Sequence, residues 1–111
     1  MSYKTEFGPD FDLGFNLSDY PQLTDKSWHN DVCPSFWFKR DRQYFVLWVD
    51  FDSPDKRESE SKRYTITTAK NFSCEEHPEI GLSDKSNCLF ESEQLRELVI
   101  FMEYFKKDNS S

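Results

Sequence analysis

The stretch Tyr44 to Asp52, YFVLWVDFD, limits the fold more than any other part of the chain, because it is the longest nearly unbroken apolar and aromatic run. It reads as a central β-strand. Phe45, Leu47, Val49 and Phe51 fall on one side, and Tyr44, Val46, Trp48, Asp50 and Asp52 fall on the other. A strand that is apolar on one face and aromatic on the other needs cover on both sides, or a partner.

Its neighbours fit an antiparallel sheet. Residues 35–39 alternate Phe36 and Phe38 against Trp37, and the polar RDRQ (40–43) is a plausible hairpin connection. Pairing Lys39 with Tyr44 sets Phe38 opposite Phe45 and Phe36 opposite Leu47, so that all four share one face. Trp37, Val46 and Trp48 then share the other. After the charged loop SPDKRESES (53–61), the β-branched run 62–69 predicts a third strand whose register a loop of that length does not fix. Residues 70–86 read as irregular, and 87–90 as an optional short last strand. Ser92 is the expected N-cap of a helix over 93–107, in which Leu95, Leu98, Val99, Met102 and Phe105 form one stripe. The expected class is α+β: three to four antiparallel strands (35–39, 44–52, 62–69 and 87–90) with the helix over the Phe face. Ile100, Phe101 and Tyr104 widen the helix's apolar arc and leave room for a homodimer contact.

Residues 1–27 carry Phe11, Leu13, Phe15 and Leu17 at a spacing of two between glycine and proline breaks. They predict an extended arm with Asp10, Asp12, Asn16 and Ser18 toward water. For 111 residues and 13.3 kDa, roughly 6,500 Å² of about 19,000 Å² stays exposed on folding. One domain spanning 1–111 can therefore hold a core, and eleven Phe supply it. Three cysteines are too few for a disulfide framework, and no apolar run approaches a membrane span. Cytoplasmic location and no membrane partner are the corresponding expectations.

The net charge of −7 is uneven: −4 over 1–32, +2 over 33–72 and −5 over 73–111. Such acidity opposes direct nucleic-acid binding and suits a partner with a basic surface. His29 and Cys33 with Cys74 and His77, and Cys88 in reserve, have spacings that a zinc site could use. Cysteine as a small buried hydrophobe is the simpler account, so no metal or cofactor is assigned. Asp50-Phe-Asp52, and Asp55 with Glu60 and Lys62, superficially match metal-dependent transferase and nuclease patterns. The chain lacks a nucleotide-binding domain, and its charge repels DNA; no enzyme is expected.

Trp37, Tyr44 and Trp48 are the residue types that dominate protein interfaces. Either the N-terminal arm covers them or a partner does, with Asp50, Asp52, Asp55, Glu58 and Glu60 as an acidic contact rim. The chain resembles, in its compact hairpin, WVDFD strand, charged loop and C-terminal amphipathic helix, the small acidic proteins of phages and mobile elements that inhibit bacterial defence systems, anti-CRISPR proteins among them. The resemblance is one of overall style and transfers no residue role. It implies a non-catalytic inhibitor that occludes a basic surface of a larger protein or ribonucleoprotein. The alternatives are an immunity protein or antitoxin against a nuclease toxin, and a small zinc-stabilised module.

Overall fold

The computed structural model describes residues 7–8, 11–26, 33–40, 43–51, 53–57, 62–74, 76 and 78–109, with the backbone alone at 54 and 104–109. Its elements are β1 (Thr24–Asp25), β2 (Ser35–Arg40), β3 (Gln43–Val49), β4 (Tyr64–Asn71), β5 (Ile80–Gly81), β6 (Cys88–Ser92) and α1 (Leu95–Asn109). Short 3₁₀ turns lie at Leu17–Asp19 and Pro54–Lys56. The strands are antiparallel in the order β1-β2-β3-β4-β5, and β6 also pairs with β4. An α+β fold is thus present, with six strands among the described residues rather than three to four. The additions, β1 and β5, are two residues long, too short for any periodicity to announce them.

The hydrophobic pattern sets the β2–β3 register as expected. Lys39 faces Tyr44, Phe38 faces Phe45 and Phe36 faces Leu47, while Trp37 faces Val46. The Phe38 and Phe45 rings stack at 5.1 Å. One further pair, Arg40 with Gln43, extends the hairpin beyond the expected strand ends. At its other end β3 stops at Val49 instead of Asp52. The Asp50 N–H still donates to the Arg63 carbonyl at 2.7 Å, but the Asp50 carboxylate then takes the Phe51 N–H at 2.8 Å and turns the chain. On β4, Tyr64 and Ile66 pair with Val49 and Leu47 on the Phe face, which leaves Thr65, Thr67 and Ala69 on the other.

The main core joins Phe36, Phe38, Phe45, Leu47, Val49, Tyr64 and Ile66 of the sheet with Leu98 and Met102 of α1 and with Leu13 and Leu23. Ser92 acts just ahead of α1: its Oγ accepts the Gln94 N–H at 3.0 Å, and its hydroxyl donates to the Glu97 carboxylate. The helix therefore begins two residues later than the expected 93. Leu95 and Phe101 pack at the edge of this core and Phe101 meets Phe90 at 4.8 Å, whereas Ile100 is exposed.

The arm lies on the same face as the helix. Leu13 is buried and Phe11, Phe15, Leu17 and Tyr20 pack around it, while Asp12, Asn16 and Ser18 are exposed, as their alternation predicts. Asp10 lies outside the described residues. Two bonds from the start of β4 hold the arm: Tyr64 Oη donates to the buried Leu13 carbonyl at 2.7 Å, and Arg63 Nη2 to the Asp12 carbonyl at 2.8 Å. Gly14 makes this approach possible. Its φ is +86°, and a Cβ there would overlap Tyr64 Oη and come within 3.1 Å of the Arg63 guanidinium. Gly8, at φ +103°, has nothing within 4 Å of such a Cβ.

These two glycines make a controlled comparison. Gly8→Ala carries only the conformational cost, about 1 kcal/mol. Gly14→Ala adds displacement of a buried hydrogen bond and should cost roughly 3 kcal/mol. Urea unfolding of both variants measures the difference, and equal losses would contradict the arm latch.

Candidate functional site

The opposite sheet face carries Ser35, Trp37 and Lys39 on β2, Tyr44, Val46 and Trp48 on β3, and Thr65, Thr67 and Ala69 on β4. Val46, Ala69 and Ile80 are its buried centre, and Trp37, Tyr44 and Trp48 pack against them half-buried. Trp37 and Tyr44 are tilted 58° to each other with centroids 5.7 Å apart.

Ile80 reaches this face because Asn71 organises the β4–β5 connection. Asn71 Oδ1 accepts the N–H groups of Ser73 and Glu79, both at 3.0 Å. Its Nδ2 donates to the Cys74 carbonyl at 3.1 Å and makes a long contact with Tyr44 Oη at 3.4 Å. The Phe72 N–H closes the hairpin onto the Glu79 carbonyl. The described part of the arm does not cover the tryptophan face: its apolar residues from Phe11 to Leu23 join the phenylalanine side. The physical reason is the latch to Tyr64 and Arg63, which commits the arm to that side before it reaches β1.

Two lysines flank the rings. Lys26 Nζ lies 5.3 Å from the Trp48 ring, and Lys39 Nζ lies 5.1 Å from the Tyr44 ring, both within cation–π range. The Lys26 N–H donates to the Ser35 carbonyl at 2.9 Å, which fixes it beside β2. Lys39 could have been found from its two-residue offset to Trp37; Lys26 could not, because it reaches the face only through pairing with Ser35.

Two residues of the expected acidic rim, Asp50 and Asp55, lie among the described residues. Asp50 is 5% exposed and its carboxylate is turned toward the Phe51 N–H, so it offers little to a partner. Asp55 is exposed on the 3₁₀ turn Pro54–Lys56, while Asp52, Glu58 and Glu60 lie outside the described residues. The loop carrying Asp55 is anchored on the helix side. Arg57 Nε donates to the Phe51 carbonyl at 2.8 Å, and its two terminal nitrogens grip Glu93 at 2.6 and 3.0 Å. Arg63 N–H adds a third donor to Glu93 at 2.9 Å, and Phe51 meets Phe11 of the arm at 4.9 Å. No sequence signal pointed to this pair, whose members stand 36 residues apart.

The bond from Arg57 is the main reason the Glu93 carboxyl titrates below its ordinary value of 4.5. Burial opposes this less strongly than that bond favours it, and the Arg63 N–H and the charges of Arg57 and Lys62 add to the lowering. Tyr20 is raised, first by burial and then by the nearby Glu103 and Asp19 carboxylates, which marks the joint outer surface of arm and helix as acidic.

Of the zinc-spaced residues, Cys33 is buried and Cys74 exposed; His29 and His77 lie outside the described residues. Among the described residues, no group of three or more His, Cys, Asp or Glu is placed to hold a metal ion, and no helix is long and apolar enough to cross a membrane. No family model, curated protein or solved structure matches the chain.

Because the folded carboxyl of Glu93 titrates low, its contribution to stability is complete above pH 4.5 and is lost as pH falls through the lower folded value. Glu93→Gln removes that contribution. The wild type should therefore lose stability more steeply than the variant below pH 4.5, read as urea midpoints from pH 7 to 3; parallel curves would exclude the network.

Proposed function

We propose that the chain is a non-catalytic binding protein that inhibits a bacterial nucleic-acid-handling complex, of the anti-CRISPR or a related anti-defence type. It docks through the Trp37, Tyr44 and Trp48 face at the partner's basic surface and turns its acidic layer outward, where that layer repels nucleic acid. The observation that carries the docking half is the unequal cover of the sheet. Among the described residues the phenylalanine face has both the helix and the arm, whereas the tryptophan face receives Ile80 as its buried cover and keeps its three largest rings partly exposed. Aromatic rings on a rigid central hairpin offer contact area at small entropic cost, and Trp and Tyr supply most hot-spot energy in interfaces.

The inhibitory half is supported by charge. A net −7 favours approach to a basic surface and opposes nucleic acid. Exposed Asp12 and Asp19 on the arm, with Glu97 and Glu103 on the helix, gather acid on the side away from the rings. The occluding surface is then this outer layer.

Affinity capture from a bacterial lysate, followed by mass spectrometry and a gel-shift assay on the captured complex, tests the reading. The expected result is a nucleic-acid-handling complex whose binding to its nucleic acid is lost at about one equivalent of the protein, with association that slows as salt rises. A captured complex that keeps its nucleic acid at saturating protein would sink the proposal.

A further inference from the structure

Among the described residues, the rings of the tryptophan face are flanked by two lysines although the chain as a whole is acidic, and this bears on what the face can grip. Lys26 stands over Trp48 at one end of the ring row and Lys39 over Tyr44 at the other, with Trp37 between them. Lys26 is held beside Ser35, and Ser35, Trp37 and Lys39 are successive residues on the same face of β2. From Ser35 to Lys39 is four residues, about 13 Å along a strand. On the described strands of this face the exposed acid is Glu91, on β6 two strands from Trp48. Glu76 and Glu79 are exposed in the β4–β5 connection and bound the face on that side. The positive strip therefore runs along β2.

We infer that this face binds an extended acidic protein segment that lies along β2, with an apolar side chain on Trp37 and a carboxylate at each end, one facing Lys26 and one facing Lys39. In an extended chain, side chains at i, i+2 and i+4 point the same way and span about 13 Å, which matches the distance between the two lysine positions. The segment thus has the form acid-x-apolar-x-acid. Single-stranded nucleic acid suits the face less well. The ammonium groups already cap the Trp48 and Tyr44 rings on which bases would stack, and a phosphate backbone would meet the field of the whole −7 chain, whereas two local carboxylates meet the lysines first.

The inference rests on the reading of this face as the docking surface, and it divides labour within that reading: the rings grip an acid-flanked segment of the partner while the arm and helix present the occluding acid. The test uses the full chain and the peptide acetyl-TETLTET-amide, followed by tryptophan fluorescence and calorimetry at low salt. Controls are the lysine counterpart acetyl-TKTLTKT-amide, a scramble with adjacent glutamates, and oligothymidylate. The expected result is binding of the acidic peptide at least tenfold tighter than of the lysine peptide or the scramble. Lys26→Gln/Lys39→Gln weakens it, and Lys26→Glu/Lys39→Glu inverts the preference toward the lysine peptide, with the far-ultraviolet circular dichroism unchanged in both. No saturable binding of the acidic peptide at millimolar concentration, equal binding of acidic and basic peptides, or tighter binding of oligothymidylate would each overturn it. Peptide binding without inhibition of any captured complex would instead sink only the inhibitory role.

Discussion

β3 is hydrogen-bonded to β2 on one edge and β4 on the other, so its backbone polar groups are satisfied and its side chains set the remaining demand. Phe45, Leu47 and Val49 project to one face and Tyr44, Val46 and Trp48 to the other. The chain answers with α1 and the arm, both placed on the side where removal from water gains most. Burying a Phe, Leu or Val side chain contributes about 1.5–3 kcal/mol, and that face buries Phe36, Phe38, Phe45, Leu47 and Val49 together. The tryptophan side needs less complete cover, because Trp and Tyr tolerate partial exposure through their polar ends, and a lysine stem can lie on a ring while its ammonium group stays in water.

The first residues of β4 make this unequal arrangement hold. Tyr64 fills the core with its ring and reaches the arm with its hydroxyl; Arg63 binds the arm through its side chain and Glu93 through its backbone N–H. Glu93 in turn receives the Arg57 fork, which is bidentate and nearly buried on the arginine side. A solvent-exposed ion pair would be worth at most about 1 kcal/mol. This one differs because Arg57 also satisfies the Phe51 carbonyl, so loss of Glu93 would take the bidentate acceptor away from a guanidinium that is nearly buried. Arm, loop and helix start are thereby tied to two consecutive residues.

The central hairpin was legible in the sequence because its information is local and redundant. Alternation in two adjacent strands admits one register that puts Phe36, Phe38, Phe45 and Leu47 together, and a shift by one residue would expose them all. The helix was legible from its stripe, and its start was misplaced by two residues because Ser92 works through Gln94 and Glu97 ahead of the first turn. The path of the arm was not legible. Its period of two gave the faces of Leu13, Asp12 and Asn16, but nothing local says which side of the sheet those faces meet; a tyrosine hydroxyl 51 residues away decides it. The candidate site was legible in its rings and not in its charges. Asp50 looked like a surface acid because it ends a strand, yet the turn that ends the strand is made by burying its carboxylate against the Phe51 N–H.

The resulting distribution of charge follows from which segments form which layer. The middle of the sequence, at +2, builds the central sheet and contributes Lys39 to the ring face; the flanks, at −4 and −5, supply the arm and helix that cover the opposite face. Among the described residues, folding therefore sets acid on the covered side and lysines beside the rings on the other, apart from Glu91 and the Glu76 and Glu79 corner. A polarised charge distribution orients a molecule in the field of its partner before contact, where bulk charge alone would only attract it. In the proposed complex the ring face meets the partner and the acidic layer faces outward, across the path that nucleic acid would take. A partner strand bearing carboxylates would then meet the lysines without crossing the like-charged layer. Orientation and local sign would favour the same pose, with the lifetime of the complex set by the rings.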